Sequence, residues 1–118
     1  MYLTGAEYPK GAVPVDGYGT GFFRIAGQVH ESGVVVSSAG VHGWAGLDDR
    51  APLLKLAGRV DLLFLGMGAD IAIPPRDLVA ELEAAGVLVE PMATPSAARG
   101  YNVLLAEGRR VACALIPV

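Results

Sequence analysis

Arg99 follows Pro95 by one helical turn in Thr94-Pro95-Ser96-Ala97-Ala98-Arg99, and the Thr-Pro pair is a strong helix start. A Thr side chain can accept from first-turn amides, while Pro has no amide to leave unpaired. On a helix, Arg99 shares a face with Pro95, Ser96 and Val103, so its guanidinium can reach back to the helix mouth and hold a carboxylate or phosphate. A second segment, Gly66-Met67-Gly68-Ala69-Asp70, has the glycines of a turn that exposes amides to an anion. Gly66, Gly68, Asp70, Thr94, Ser96 and Arg99 together could bind a small anion. Against this stands the rest of the pattern. No third glycine follows at dinucleotide spacing, no Lys-Ser or Lys-Thr pair follows as in a P-loop, and Pro74-Pro75 removes two amides. A structural turn is therefore the first reading of Gly66 to Asp70. Likewise Arg99 is read first as a clamp on neighbouring loop carbonyls, with Asn102 doing similar work.

The remaining chemistry-bearing residues are scattered. His30 and His42 lie in different segments and the one cysteine, Cys113, is distant from both, so no zinc-ligand spacing emerges and no metal or cofactor is expected. Ser37, Ser38 and Ser96 need a neighbouring base to act as nucleophiles, and no Gly-x-Ser-x-Gly elbow exists. His42 reads as an ordinary loop histidine, and Cys113, inside an apolar run, as a buried inert thiol. No catalytic residue is assigned. Trp44, the single tryptophan, is read first as packing and second as an anchor for a protein partner.

Turn-formers and hydrophobic periodicity define the elements that carry these residues. Residues 1–21 hold Gly5, Pro9, Gly11, Pro14, Gly17, Gly19 and Gly21, which leave room for short strands at most and predict an arm that wraps the main fold of 22–118. Short β runs follow from Phe22, with Val34 to Ser37 as a buried strand and two small antiparallel pairings. Asp48 to Ala57 predicts an amphipathic helix capped by Asp48 or Asp49 and stopped at Gly58. The apolar run Val60 to Leu65 predicts a strand covered on both faces and central in its sheet. Pro75 opens a helix with Leu78, Val79, Leu82 and Ala85 at helical spacing, which Gly86 ends. Val87 to Glu90 resumes the sheet, a helix runs from Pro95 to about Ala106, and Val111 to Ile116 is the last strand, whose direction the short link before it does not fix. Repeated strand, helix, strand units place the chain in the α/β class with parallel neighbours.

Composition sets the outer limits. The 118 residues are enough for one domain with a real core, without disulfide or metal staples. With 53% hydrophobic and 18% charged residues the chain lies far from disorder. Nine Lys and Arg against twelve Asp and Glu give a net charge of −3, which removes the electrostatic footprint of a nucleic-acid binder. The longest apolar run, Leu62 to Ala69, is far short of the roughly 20 residues of a membrane span, and the start lacks a secretory signal. A cytoplasmic protein is expected. Surplus apolar area points to a protein partner or a homo-oligomer.

The stretch Glu90 to Ala112, containing Thr94-Pro95-Ser96-Ala97-Ala98-Arg99-Gly100-Tyr101-Asn102, resembles the signature of the Mth-type domain of unknown function, the family of mitochondrial complex I assembly factor 3 and the adipogenesis-associated Mth-domain protein. Gly17-Tyr18-Gly19 with Phe23, Val41 with Trp44, and Leu65-Gly66-Met67-Gly68 match in the same order, so the likeness runs from about Val15 to the C-terminus. It implies a layered single domain: a central mixed, mostly parallel sheet flanked by helices, its last strand antiparallel to the others, and a small N-terminal β extension. It carries over no catalytic residues. Eukaryotic members are associated with complex I assembly through protein contacts, which implies a non-enzymatic interaction or assembly role, with a small-anion binder or enzyme at the Gly66 to Asp70 and Arg99 mouth as the alternative. This chain has Ala93 where the family often has Asp, and Gly100 where it often has Thr; losing both polar groups beside Arg99 and Tyr101 weakens a catalytic reading there.

Overall fold

Apolar runs broken by turns become strands β1 (Val15–Gly19), β2 (Phe22–Ile25), β3 (Gln28–His30), β4 (Gly33–Ser37) and β5 (Gly40–Trp44), then α1 (Ala51–Leu54), β6 (Leu62–Gly66), α2 (Arg76–Ala84), β7 (Leu88–Met92), α3 (Thr94–Ala106) and β8 (Val111–Leu115). The computed structural model describes residues 1, 3 and 7–118, so Gly5 of the expected arm lies outside the described residues. Strands β1, β2 and β3 form a small antiparallel sheet in that order, and the other five form a mixed sheet in the order β5-β4-β8-β6-β7. The chain is an α/β single domain of the layered kind its sequence pattern implies.

Two expectations about the large sheet need correction. The last strand, β8, is antiparallel to β4 but parallel to β6, with Leu62 opposite Val111 and Gly66 opposite Leu115. It is therefore not antiparallel to the others: α3 returns the chain to the starting end of the sheet, and the strand that runs against its neighbours is β4, antiparallel to both β5 and β8. The centre of the sheet is β8, not the Val60 to Leu65 run, although β6 is interior and buried throughout.

Alternation along the three inner strands divides the core into two layers. Val34 and Val36, Leu62 and Phe64, and Val111, Cys113 and Leu115 face α3 and the small sheet, where Val15, Phe23 and Ile25 are fully buried. Val35, Leu63, Leu65, Ala112 and Ala114 face the other way, toward Leu78 and Leu82 of α2 and Leu53 of α1. With side chains packed on both faces, the inner strands read as continuous apolar runs.

The helix expected over Asp48 to Ala57 is α1, only four residues long. Neither Asp48 nor Asp49 caps it. Asp49 instead closes the loop after β5, its carboxylate accepting from the Ala45 N–H (3.1 Å) and its carbonyl from Trp44 Nε1 (2.9 Å). Beyond Leu54 the chain continues as turns, with the N–H groups of Leu56 and Ala57 bonded to carbonyls of Leu53 and Leu54.

Ile25 pairs with Gln28, so β2 and β3 are joined by Ala26-Gly27, with φ of +51° and +77°. Two-residue hairpins of this hand favour Asn-Gly, because a left-handed conformation costs an ordinary L residue about 1–2 kcal/mol. Ala26→Asn should therefore raise stability by about 1 kcal/mol, read as a higher urea midpoint at constant m value. A lower midpoint would contradict strain at this turn.

Candidate functional site

The parallel strands β6, β7 and β8 all end on one side of the sheet, the side where ligands sit in open α/β folds. In this chain that side is tied shut by its own backbone. Met67 N–H donates to the Met92 carbonyl (2.8 Å), Ile116 N–H to the Gly66 carbonyl (3.0 Å), and Thr94 N–H to the Gly68 carbonyl (2.8 Å). Thr94 is fully buried. Its hydroxyl accepts from Gly68 N–H (2.9 Å) and donates to the Ile116 carbonyl (2.6 Å). Thr94 is thus not the helix cap the sequence implies: Ala93 holds the cap position without a side-chain bond, and Thr94, one residue further on, turns its hydroxyl toward the strand ends.

The residues expected to form an anion mouth fall into two groups. Gly66, Gly68 and Thr94 belong to the buried knot, whereas Asp70, Ser96 and Arg99 are exposed. An anion cradle needs unengaged N–H groups, but those of Gly68 and Thr94 already donate within the chain and Pro95 has none. Among the described residues, Arg99 reaches only Ser96 Oγ, at 3.4 Å on its own helix, and clamps no loop. The clamp is made by its neighbours. Asn102 Oδ1 accepts from Val15 N–H and its Nδ2 donates to the Val15 carbonyl, both at 2.9 Å, while the Tyr101 hydroxyl donates to the Val13 carbonyl at 2.7 Å. Burial pushes the Tyr101 phenol well above its usual range, with Cys113 and Tyr8 adding to the effect, and burial raises the Cys113 thiol likewise. Both stay protonated at neutral pH and act as packing groups.

Trp44 is buried in the layer that contains Leu53 and Val89, which corrects its second reading: the indole has no free face for a partner. Among the described residues, no group of three His, Cys, Asp or Glu side chains is placed to hold a metal. Between α1 and α2, Arg50 donates to Asp77 Oδ2 at 2.9 Å and holds that carboxyl below its usual range, chiefly through this hydrogen bond. The pair's contribution is present at neutral pH and disappears as pH falls through the depressed Asp77 pKa.

One feature had no sequence signal of its own. A cleft of about 290 Å³ opens between the β4–β5 hairpin and the turns after α1, with Ser37, His42, Lys55 and Arg59 among its lining side chains. They come from two separate segments, Ser37 and His42 from the hairpin and Lys55 and Arg59 from the turns after α1.

The model of a protein family of unknown function, DUF498/DUF598, matches residues 15–116. The chain belongs to this family. An uncharacterized protein of Rhodobacter capsulatus is 61% identical over 92% of the chain and 87% of its own length. Zebrafish NADH dehydrogenase [ubiquinone] 1 alpha subcomplex assembly factor 3 is 31% identical over 68% of the chain, a match that spans 46% of that protein. Among solved structures, one described as an outer membrane protein of Bartonella henselae has a TM-score of 0.84 and 31% identity, covering 95% of this chain and 99% of its own. An Mth938-like domain from Bordetella pertussis has a TM-score of 0.79 and 27% identity, covering 99% of this chain and 92% of that one. The Mth-type resemblance thus holds at the level of both family and fold. No helix among the described residues is long and apolar enough to cross a membrane.

Thr94→Val keeps the shape of the knot but orphans the Gly68 N–H and the Ile116 carbonyl, each at about 1–3 kcal/mol where it stays buried. Chemical denaturation should show a loss on the order of 2–4 kcal/mol, with Thr94→Ser much milder and Arg99→Ala within about 0.5 kcal/mol of the parent. Equal effects of Thr94→Val and Arg99→Ala would contradict the knot.

Proposed function

We propose that this family member is a protein-binding domain that serves the assembly of a larger complex, and that its partner docks on the apolar surface beside α2 and β7. The observation that carries this reading is the connection from β6 to α2, where Ile73 is 89% exposed and Ile71 72% exposed. Large aliphatic side chains held in water lose the free energy that burial gives, about 1.5–3 kcal/mol each when fully covered. Next to Ile73 lies an open groove walled by Pro74, Val79, Ala80 and Pro91, with Arg76 and Glu83 at its polar border. An apolar centre inside a polar rim is the anatomy of a protein interface. The relative described as an assembly factor for NADH dehydrogenase supports the same class of role.

Anion binding at the Gly66 to Asp70 and Arg99 mouth gains no support from the amides of Met67, Gly68 and Thr94, which are engaged within the chain. The interaction reading is tested with the tagged full chain in extract of its own cells. One stoichiometric partner should be retained by the parent and by Arg99→Ala, and lost by the double variant Ile71→Asp, Ile73→Asp at unchanged Tm. Light scattering of the purified parent identifies the case in which the partner is a second copy, again dissociated by the double variant. A partner held equally by parent and double variant would overturn the proposed surface.

A further inference from the structure

The cleft beside the β4–β5 hairpin lies at the opposite edge of the large sheet from the docking surface, with β8 and β6 between β4 and β7. Its floor is apolar: Val35 is 2% exposed and Leu56 6%. Its polar side chains are Ser37, His42, Lys55 and Arg59, and no carboxylate lines it, although acids outnumber bases in the chain as a whole. Two cations outside the cleft have carboxylate partners. Arg50 lies against Asp77 and Glu81 at 2.9 and 3.9 Å, and Arg110 against Asp61 at 3.8 Å. Lys55 and Arg59 have no such carboxylate among the described residues.

Ser37 supplies a second kind of observation. It is 6% exposed, its Oγ accepts from Ala39 N–H at 3.1 Å, and its own hydrogen has no acceptor among the described residues. A buried hydroxyl with a free donor and two cations without counter-ions, beside an imidazole and with no carboxylate, make a cationic, donor-rich lining. Such a lining favours an acceptor-rich, negatively charged guest, and charge-assisted hydrogen bonds from Lys and Arg are the strong ones. The turn that carries Arg59 is fixed in place, since Arg110 donates from Nε to the Arg59 carbonyl (3.2 Å) and from Nη2 to the Gly58 carbonyl (3.0 Å). The volume of about 290 Å³ stands at the lower end of ligand pockets, which run from about 300 to 1,000 Å³. It admits a small metabolite.

We infer that this cleft binds a small anion with an apolar body, a carboxylate or a phosphate monoester, whose head is held by Lys55, Arg59 and the Ser37 hydroxyl and whose body lies on Val35 and Leu56. Neither the family description nor the proposed docking surface implies this site. The test is an amide NMR titration of the full chain with four probes: octanoate, hexyl phosphate, inorganic phosphate and octylamine. Octanoate or hexyl phosphate should give saturable shifts at Ser37, Ala39, His42, Leu56 and Arg59, and the better of the two identifies the head group. Octylamine should give none there, and inorganic phosphate should bind at least about tenfold more weakly than hexyl phosphate, for want of an apolar body. Lys55→Glu with Arg59→Glu should weaken the better probe at least about tenfold while Tm and the remaining spectrum are preserved, both residues being exposed. No saturable shift with either amphiphilic anion, equal binding of octylamine, equal binding of inorganic phosphate, or full affinity in the double variant would each overturn the inference.

Discussion

The Thr94 hydroxyl accepts from an amide just beyond β6 and donates to a carbonyl just beyond β8, and Thr94 itself begins α3. One buried side chain therefore fixes the ends of two sheet strands and the entry of the helix that covers them. The knot demands room. A Cβ on Gly66 would lie 2.8 Å from Thr94 Oγ1 and 2.9 Å from both the Thr94 Cα and Leu115 Cδ2, too close to be relieved by a side-chain rotation alone. Once Thr94 is placed, the rotation of α3 is set, because Thr94, Ala97, Ala98, Tyr101 and Leu105 form one buried helical stripe. That rotation turns Tyr101 and Asn102 onto Val13 and Val15, so β1, and through it the small sheet, takes its position from the same contact.

Closing the strand ends in this way has a functional consequence. The position at which open α/β sheets usually receive ligands is crossed by backbone hydrogen bonds, and the two surfaces proposed above lie at the edges of the sheet instead. One edge presents Ile71 and Ile73 beside the β7 side of α2; the other presents Lys55, Arg59 and Ser37 around an apolar floor. Strands β4 and β7 are three places apart in the sheet, about 14 Å at the usual inter-strand spacing. Substitutions at that separation add independently when they share no partner. The apolar and cationic surfaces can therefore be altered one at a time without confusing their effects.

The sequence made legible whatever depended on local pattern. Val34 to Ser37, Val60 to Leu65 and Val111 to Ile116 read as strands because they are apolar at consecutive positions, and they are apolar because both faces of the inner sheet are covered. Thr94-Pro95 marked the start of α3, and Gly86 and Gly108 its neighbours' and its own end, within the usual uncertainty of helix boundaries. What local pattern could not carry was partner choice. The Thr94 hydroxyl has helix amides nearby, but it bonds to Gly68 and Ile116, residues 26 and 22 positions away. Asp49 was a fair cap in sequence, yet the Trp44 indole and the Ala45 amide take its acceptors. The direction of β8 was out of reach for a similar reason: it lies between an antiparallel and a parallel neighbour, so no single relation describes it. The cationic cleft draws its side chains from a hairpin and a turn that meet only in the folded chain.

Ala93 and Gly100, the two positions set apart from the Mth-type resemblance, have physical readings in the packing of α3. Ala93 occupies the N-cap of α3 without a side-chain bond. An Asp at that place is what a helix N-terminus favours, as an acceptor for first-turn amides and as a charge matched to the helix dipole. Ala93 is tolerable there because Thr94 and Pro95 already anchor the first turn. At Gly100 a Cβ would meet the Phe64 ring, 2.9 Å from Cε1. Glycine inside a helix costs about 1 kcal/mol relative to alanine, and what it permits here is the close approach of α3 to a large aromatic on β6. A Thr at position 100 would need Phe64 to move or a smaller residue in its place, so positions 64 and 100 are a coupled packing choice across the helix–sheet interface. Both departures concern how α3 is seated on the sheet, the same contact that Thr94 governs.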